Sequence, residues 1–129
     1  LGTRPDGEPW QVAVKLPGMA DGEGPVLALR GRAVATSGDD FRRFAVDDVP
    51  YSHTLDPRSG RPVQHGLASV TVVHAQCMQA DALATALTVL GPDAGWAYAV
   101  QRHLVALFIR RGADGLEACC TPSFDALLA

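Results

Sequence analysis

The residues best suited to chemistry lie between positions 51 and 91. His53 carries an imidazole, the side chain whose unperturbed pKa of about 6.5 suits a general base near neutral pH. Asp81 and Thr85 are four residues apart, so they share one face of a helix. Their carboxylate and hydroxyl oxygens suit a hard cation such as Mg²⁺, whose shell is completed by water and phosphate. The combination of these residue types in one stretch makes it a candidate site for handling phosphate or a metal.

Two further stretches could contact an anion. Thr36-Ser37-Gly38 offers two hydroxyls and unhindered backbone N–H groups, the ingredients of an anion-binding concavity. Arg58 could meet a phosphate through two hydrogen bonds. Structural interpretations stay open beside these. His53 could be a hydrogen-bonded strand residue, Asp81 could complement a helix dipole, Thr36-Ser37-Gly38 could be a strand-ending turn, and Arg58 could be solvated. The remaining basic candidates are expected to be solvated or structural: Arg42, Arg43, His65, His74 and His103.

The local pattern predicts the elements that position these residues. Residues 51–55 favour a strand on which Tyr51, His53 and Leu55 share one face. Residues 56–60 form a turn, with Pro57 and Gly60 at its corners. Residues 67–74 are the most apolar strand, and 76–90 a helix ended by Gly91-Pro92. Asp81 and Thr85 are expected roughly opposite an apolar stripe of that helix, formed by Leu83, Leu87 and Leu90.

The rest of the chain predicts strands joined by hairpins. The expected elements are a strand over 11–15, a hairpin of 26–29 with 33–35, a break at 36–40, a strand or helical turn over 41–46, a second helix over 93–102 with Trp96, Ala99 and Val100 inward, a hairpin of 103–110 with 115–120, and a closing helix over 122–128 with Thr121 as its N-cap. Hairpins interrupted by one helical pair argue for an α+β fold with a mostly antiparallel sheet around a central helical pair.

Composition narrows the class of protein. With 129 residues, 47% of them apolar, one domain over 1–129 is expected. The net charge of −3 and the scattered basic residues give no reason to expect nucleic acid. No apolar run approaches the roughly 18 residues that a membrane span needs, and no targeting signal is evident at the N-terminus. Cys77, Cys119 and Cys120 are expected as buried thiols rather than a disulfide.

Several segments together resemble the ApbE family, which comprises FAD:protein FMN transferases formerly described as thiamine biosynthesis lipoproteins. The resemblance is carried by Asp-Gly-Glu-Pro-Trp at 6–10, Ala-Thr-Ser-Gly-Asp at 35–39, Tyr-Ser-His-Thr-Leu-Asp-Pro-Arg-Ser-Gly at 51–60, Ser-Val-Thr-Val at 69–72, Ala-Asp-Ala-Leu-Ala-Thr-Ala-Leu at 80–87 and Leu-Gly at 90–91. It covers essentially the whole chain, which looks like the C-terminal half of a family member. The fold it implies is ApbE-like, of T-fold-like architecture.

The resemblance also implies an activity and its residues. Family members transfer FMN from FAD to a Thr or Ser hydroxyl of a target flavoprotein, releasing AMP, with Mg²⁺. His53 then corresponds to the catalytic residue, Asp81 and Thr85 to the metal ligands. Residues that line the flavin nucleotide correspond to Thr36, Ser37, His53 and Leu55. Ala84 stands where the family sometimes has a further ligand, and it has no side-chain oxygen.

The implied partners are a target flavoprotein with an acceptor Thr or Ser and the missing N-terminal half of the same protein, possibly as a separate chain. The implied location is the periplasmic side of the inner membrane, as a lipoprotein. Two alternatives stay open. The chain could belong to a Mg²⁺-dependent FAD pyrophosphatase that yields FMN and AMP, or it could be a non-catalytic flavin-binding or interaction fragment.

Overall fold

The computed structural model describes residues 2–20, 22–39 and 44–128, which contain ten strands and three helices. In chain order these are β1 Trp10–Ala13, β2 Val26–Leu29, β3 Ala33–Gly38, β4 Phe44–Val46, β5 Val49–Tyr51, β6 Leu55–Asp56, β7 Arg61–Pro62, β8 Leu67–His74, α1 Cys77–Leu90, α2 Pro92–Gln101, β9 Val105–Gly112, β10 Gly115–Cys120 and α3 Pro122–Leu128. An antiparallel sheet has the order β10-β9-β8-β3, and three hairpins pair β1 with β2, β4 with β5 and β6 with β7. The predicted α+β class is confirmed.

Strand β8 is the centre of the sheet, as its apolar sequence predicts. Leu67 to Val73 are all buried, because packed layers cover both faces of the sheet. On one face, Val70 and Val72 belong to a core cluster with residues of α1 and α2. On the other, Val73 belongs to a second cluster with the β1–β2 hairpin and Phe124 of α3. Because both faces are covered, even the hydroxyl residues Ser69 and Thr71 of this strand are buried.

Phe108 of β9 anchors the helical layer of the core. Its side chain is completely buried, and its ring meets that of Trp96 edge-on, with centroids 5.6 Å apart. We expect Phe108→Ala to lower the free energy of unfolding by about 3–5 kcal/mol, the usual cost of removing a buried aromatic ring. Urea denaturation measures this loss. Leu116→Ala is the control, since Leu116 is exposed. Equal midpoints for the two variants would contradict this packing.

One predicted hairpin is wrong. Strand β2 pairs with β1, and β3 pairs with β8 along its whole length, so residues 26–29 and 33–35 are not partners. The reason is burial. Leu27 and Leu29 lie in the core cluster beneath the sheet, which requires β2 to stack on the sheet rather than extend it. The connection turns at Gly31, whose φ of 61° favours glycine, and carries the chain from one layer to the other.

The strand break predicted at 36–40 is also wrong for the described part. Thr36, Ser37 and Gly38 continue β3, and Gly38 lies opposite Ser69 of β8. A Cβ atom at Gly38 would come within 3.0 Å of the Ser69 Cβ, so glycine here permits close strand approach rather than ending the strand. Of the segment 41–46, residues 44–46 form strand β4. Arg42 and Arg43 lie outside the described residues.

The helices and the last hairpin largely follow the sequence. Helices α1, α2 and α3 and the β9–β10 hairpin are confirmed. In α2, Ala99 is buried and Trp96 half-buried as expected, whereas Val100 is exposed. The predicted capping role of the Thr121 side chain is wrong. Its hydroxyl donates to the Leu104 carbonyl oxygen at 2.7 Å and accepts from the Ala106 N–H at 3.1 Å, so it ties the start of α3 to the strand region.

The three cysteines are free, and they differ in exposure. Cys77 is exposed at the first residue of α1, so its predicted burial is wrong, while Cys119 and Cys120 are half-buried. Burial raises the pKa of the Cys120 thiol, and the nearby Asp125 carboxylate adds to this. The Cys120 thiolate therefore forms only at higher pH, and thiolate is the reactive species. We expect pulsed iodoacetamide labelling with peptide mass spectrometry to modify Cys77 first. Equal labelling of Cys120 at neutral pH would contradict this.

Candidate functional site

Helix α1 presents Asp81 and Thr85 to solvent on one face. The buried stripe of the helix differs from the expected leucine stripe. It consists of Ala80, Ala84, Leu87 and Thr88, whereas Leu83 and Leu90 are half-buried. Small alanine side chains let the helix pack closely on β3 and β8. Asp81 and Thr85 therefore lie beside the buried stripe, not opposite it.

The flank of α1 that carries Asp81 and Thr85 faces away from α2. Leu83 and Leu90, on the other flank, pack in the same cluster as Trp96 of α2. Helix α2 contacts strand β9 of the sheet, whereas helix α1 lies over strands β8 and β3. Within the described residues β3 is the outermost strand on this side. The carboxylate and the hydroxyl are thus held above the outer edge of β3.

No interaction among the described residues explains why a carboxylate stands at position 81. Asp81 is the fifth residue of α1, so it lies beyond the first turn of the helix. A carboxylate interacts favourably with the helix dipole only within that first turn. Among the described residues Asp81 forms no ion pair or side-chain hydrogen bond. No group of three or more His, Cys, Asp or Glu side chains that could hold a metal occurs in that part of the chain. The oxygen donors Asp81 and Thr85 nevertheless fit Mg²⁺, which takes one or two protein ligands beside water and phosphate. Ala84 is buried in the core, so it offers no ligand.

Thr36 and Ser37 point to opposite faces of β3, because successive strand residues alternate. Ser37 lies opposite Val70, on the face that α1 covers. The Thr36 hydroxyl lies 2.8 Å from the Thr71 hydroxyl on the other face. The two hydroxyls therefore do not form the concavity that a turn would give, and Ser37 alone shares the face of α1. Their contact with a cofactor stays a prediction.

His53 is exposed, but it does not lie on a strand. It occupies the bend between β5 and β6, so the predicted strand over 51–55 is wrong. Its neighbours Ser52 and Thr54 are buried, and the Ser52 hydroxyl accepts the Thr54 N–H at 3.1 Å. That side-chain bond takes a backbone donor that a strand would use in its ladder, which explains the interruption. Among the described residues the imidazole has no hydrogen-bond partner. Leu55, in β6, is also exposed.

The turn after β6 has the predicted form, and it fixes Arg58. The Gly60 N–H donates to the Asp56 carbonyl oxygen at 2.7 Å. The Arg58 guanidinium holds both Asp56 carboxylate oxygens, with Nε 2.9 Å from Oδ1 and Nη2 2.8 Å from Oδ2. Arg58 also reaches the Val89 carbonyl oxygen of α1 at 3.5 Å, a long hydrogen bond. Arg58 is therefore an exposed side chain that is paired within the molecule.

The Asp56–Arg58 pair has a measurable signature. Hydrogen bonds from the Arg58 side chain and backbone hold the pKa of the Asp56 carboxyl below its ordinary value. This pair therefore stabilises the fold above the ordinary carboxyl pKa, and its contribution is lost as the pH falls through the lowered value. We expect a carboxyl NMR titration to place the Asp56 midpoint below that of an ordinary aspartate, and Arg58→Ala to raise it. An unchanged midpoint in that variant would contradict the pairing.

His65 is a residue whose role the sequence did not indicate. Its Nε2 lies 2.6 Å from the Thr88 carbonyl oxygen of α1, and its Nδ1 accepts the Leu67 N–H at 3.3 Å. Since Nδ1 accepts, Nε2 must carry the proton and donate to Thr88. His65 thus joins the segment after β7 to the last turn of α1. It was expected to be structural, but nothing in its sequence neighbourhood shows this partner.

A cleft of about 300 Å³ separates the segment around His53 from α1 and the sheet. Its lining residues are Asp39, Val49, Pro50, Ser52, Val63, Gln64, His65, Leu67, Ala68 and Thr88. Asp39 is buried, and its Oδ1 accepts from Nη2 of Arg111 at 2.6 Å. The other terminal nitrogen of Arg111, Nη1, donates to the Leu67 carbonyl oxygen at 3.1 Å. This ion pair was not predictable from sequence, because its partners are 72 residues apart. None of the predicted site residues lines the cleft itself.

Chain neighbours of two predicted site residues meet at the cleft. Ser52, next to His53, and Thr88 line the same cleft. Thr88 lies three residues after Thr85, about one helical turn or 5 Å along the axis, and Asp81 lies about one turn further. Ser37 lies on the strand beneath this helix. Thr36 points to the opposite face of the sheet, away from the others.

The sequence profile of the ApbE family matches residues 1–109 of the chain. The chain is 38% identical over 129 residues to the FAD:protein FMN transferase of Vibrio cholerae serotype O1, a match that covers 99% of this chain and 39% of the relative. It is 34% identical over 130 residues to the protein of the same name from Escherichia coli K12, covering 98% of this chain and 36% of the relative.

Solved structures agree with the sequence matches. The apo form of the Pseudomonas stutzeri flavinyl transferase ApbE superposes with a TM-score of 0.83 at 44% identity, over 98% of this chain and 39% of that one. The flavin transferase ApbE from Vibrio cholerae superposes with a TM-score of 0.83 at 36% identity, over 97% and 40%. The chain therefore spans about two-fifths of the length of the relatives it matches. In the part that the structure describes, no helix is long and apolar enough to cross a membrane.

Proposed function

The chain belongs to the ApbE family, and from this premise we propose that it is part of an enzyme that transfers FMN from FAD to a Thr or Ser hydroxyl of a target flavoprotein, with Mg²⁺. The names of its relatives, FAD:protein FMN transferase, support flavin transfer. The observation that carries the proposal is Asp81 itself. Its carboxylate is exposed, unpaired among the described residues and one turn from the Thr85 hydroxyl, on the flank of α1 above the edge of β3.

The reaction has a balanced form. The acceptor hydroxyl oxygen attacks the phosphorus on the FMN side of the FAD pyrophosphate, and the bond from that phosphorus to the bridging oxygen breaks. AMP leaves with the bridging oxygen, and the acceptor becomes a phosphodiester of FMN. His53 takes the hydroxyl proton, because a neutral hydroxyl attacks phosphorus more readily as its proton departs. An exposed imidazole with no partner among the described residues is available for this role.

Asp81 and Thr85 would hold the Mg²⁺. When bound, this ion would neutralise the negative charge that develops on the pyrophosphate oxygens. Ser37 and Leu55 are proposed to contact the flavin nucleotide, together with Thr36 and His53. Of these residues, Ser37 is supported by its place on the face of β3 that α1 covers. Thr36 has the weaker support, since its hydroxyl already pairs with Thr71.

Two partners are part of the proposal. One is the target flavoprotein with its acceptor Thr or Ser. The other is the additional polypeptide that the longer relatives contain, either joined to this chain or as a separate chain, because the chain spans about two-fifths of their length. We also propose that the protein acts at the periplasmic side of the inner membrane as a lipoprotein, which rests on the family resemblance alone. Cell fractionation with an antibody to this chain tests the location.

Transfer assays on the full-length protein that carries this sequence test the function. The protein is incubated with FAD, Mg²⁺ and a candidate acceptor flavoprotein, and the acceptor is weighed by intact mass spectrometry. We expect the acceptor to gain the mass of FMN less one water, and chelation of Mg²⁺ to abolish the gain. Release of free FMN and AMP with no gain in acceptor mass would instead establish the pyrophosphatase reaction. No turnover of FAD at all would overturn both enzymatic proposals.

A further inference from the structure

The end of helix α1 is held by side chains from the segment that carries His53. We infer that His65, assisted by Arg58, is a positioning residue that sets where His53 stands relative to Thr85 and Asp81. This inference rests on the proposed function, because positioning matters only if these residues act together. It gives a part to His65, which the sequence indicated only as structural, and a part to Arg58 that differs from the phosphate contact its sequence offered.

The last carbonyl groups of a helix lack partners within the helix and need donors from elsewhere. In α1, the Thr88 carbonyl oxygen accepts the His65 Nε2–H at 2.6 Å as well as the Gly91 N–H at 3.2 Å. The Val89 carbonyl oxygen accepts from Arg58 at 3.5 Å. Both side-chain donors come from the segment of residues 52–65, so one short stretch supplies side-chain donors to two successive carbonyls in the last turn of α1.

These hydrogen bonds matter because, among the described strands, no ladder joins the segment to the four-stranded sheet. The hairpins β4–β5 and β6–β7, which flank His53, are separate two-stranded sheets and form no ladder with the four-stranded sheet. Two-stranded hairpins alone are marginally stable. His65 is itself well fixed, since its Nδ1 accepts the Leu67 N–H where β8 begins. The imidazole therefore joins three elements: the segment, the central strand and the helix.

The His65 hydrogen bonds join the segment 52–65 to α1, so a displacement of either element reaches the nearby reacting groups. On one side, the Val63 N–H donates to the Thr54 carbonyl oxygen at 3.0 Å, which links the stretch before His65 to the residue after His53. On the other side, Thr88 lies one helical turn after Thr85, and a helix transmits displacement along its axis because its backbone is internally bonded. A shift of about 1 Å between reacting groups can cost about a hundredfold in rate.

Two substitutions at position 65 separate positioning from ordinary stabilisation. In His65→Gln, the amide nitrogen can replace Nε2 and still donate to the Thr88 carbonyl oxygen. In His65→Asn, the amide oxygen can replace Nδ1 and still accept the Leu67 N–H, but the side chain is too short to reach α1. Each variant keeps one of the two hydrogen bonds. A purely structural role predicts similar losses in both, whereas positioning predicts that only the bond to α1 matters for transfer.

The experiment measures FMN transfer by the full-length protein with each variant. We expect His65→Asn to lower kcat by about tenfold to a hundredfold, and His65→Gln to stay within about threefold of the wild type. The Mg²⁺ concentration for half-maximal rate should not change, because Asp81 and Thr85 remain on one helix. Arg58→Ala, which removes the longer bond, should lower kcat by a few-fold. His103→Asn and Arg61→Ala are the matched controls, since both residues are exposed and neither donates to α1.

Hydrogen exchange on the same variants keeps the inference testable apart from turnover. The Val63 amide should exchange faster in His65→Asn than in His65→Gln, while the amides of β8 stay protected in both. Equal kcat or equal Val63 exchange in the two variants would overturn the positioning role. A wild-type protein that transfers no FMN, with the expected difference in Val63 exchange intact, would instead overturn the proposed function and leave His65 as a tie of the fold.

Discussion

Replacing His53 by alanine is expected to lower the rate of FMN transfer by about a hundredfold to ten-thousandfold, the range that a positioned general base contributes. The loss should appear in kcat, because the imidazole takes a proton during the reaction. Binding of FAD should be largely retained, because the other proposed nucleotide contacts and the Mg²⁺ held by Asp81 and Thr85 remain. The fold should be unaffected, because His53 is exposed and bonded to no described residue.

Flavin fluorescence of the acceptor in a denaturing gel measures this loss directly, since only covalently attached FMN remains. His103→Asn is the matched control. His103 is an exposed histidine at the end of α2 with a φ of 52°, a conformation that asparagine tolerates. We expect the control to transfer at the wild-type rate. Transfer by His53→Ala at that same rate would remove His53 from the mechanism.

Replacing Asp81 by asparagine is expected to have the other large effect. The change keeps the size of the side chain and removes its charge, so Mg²⁺ loses the one anionic ligand that the proposal gives it. We expect transfer at a fixed Mg²⁺ concentration to fall by about a hundredfold, and the Mg²⁺ concentration for half-maximal rate to rise by a similar factor, because loss of about 2.7 kcal/mol of binding corresponds to that ratio. Steady-state rates over a Mg²⁺ titration measure both.

Asp114→Asn is the control for Asp81, because Asp114 is an exposed carboxylate in the turn between β9 and β10. Its Mg²⁺ dependence should match the wild type. The melting temperature of Asp81→Asn should also match, since Asp81 forms no ion pair among the described residues. An Asp81→Asn variant with unchanged Mg²⁺ dependence would show that this flank of α1 is not the metal site.

The parts of the fold that sequence predicted depend on neighbours in the chain. Helix α1 ends at Gly91-Pro92, where a φ of 86° at Gly91 and the proline ring both stop the helix. The turn at 56–60 follows from Pro57 and Gly60, and β8 follows from its apolar run. In each case the residues that determine the element lie within a few positions of one another, so the local sequence pattern is enough to predict it.

The failures depend on partners far along the chain. The sequence could not show that β3 pairs with β8 rather than β2. That pairing depends on the core cluster in which Leu27 and Leu29 are buried. Nor could it show the bond from His65 to Thr88, 23 residues away, or the pair of Asp39 with Arg111. Local propensity is weak beside such tertiary contacts.

The candidate site was predictable in its residue types and less so in its geometry. The four-residue spacing put Asp81 and Thr85 on one face of a helix, which the structure confirms. The strand predicted over 51–55 implied the wrong surroundings for His53. The Ser52 hydroxyl accepts the Thr54 N–H, a backbone donor that a neighbouring strand would otherwise bind. Thr36 and Ser37 were taken together as a turn, and the strand that they form separates them.

The most direct test of the account asks whether His53 and the Asp81–Thr85 pair share one site. Mn²⁺ is added in place of Mg²⁺ to the protein with its histidines labelled, and the imidazole signals are followed by NMR, since paramagnetic broadening falls steeply with distance. We expect the His53 signal to broaden at the lowest Mn²⁺ concentrations, the His103 signal to stay sharp, and Asp81→Asn to remove the effect. A His53 signal that stays sharp while Mn²⁺ binds at Asp81 would contradict a shared site.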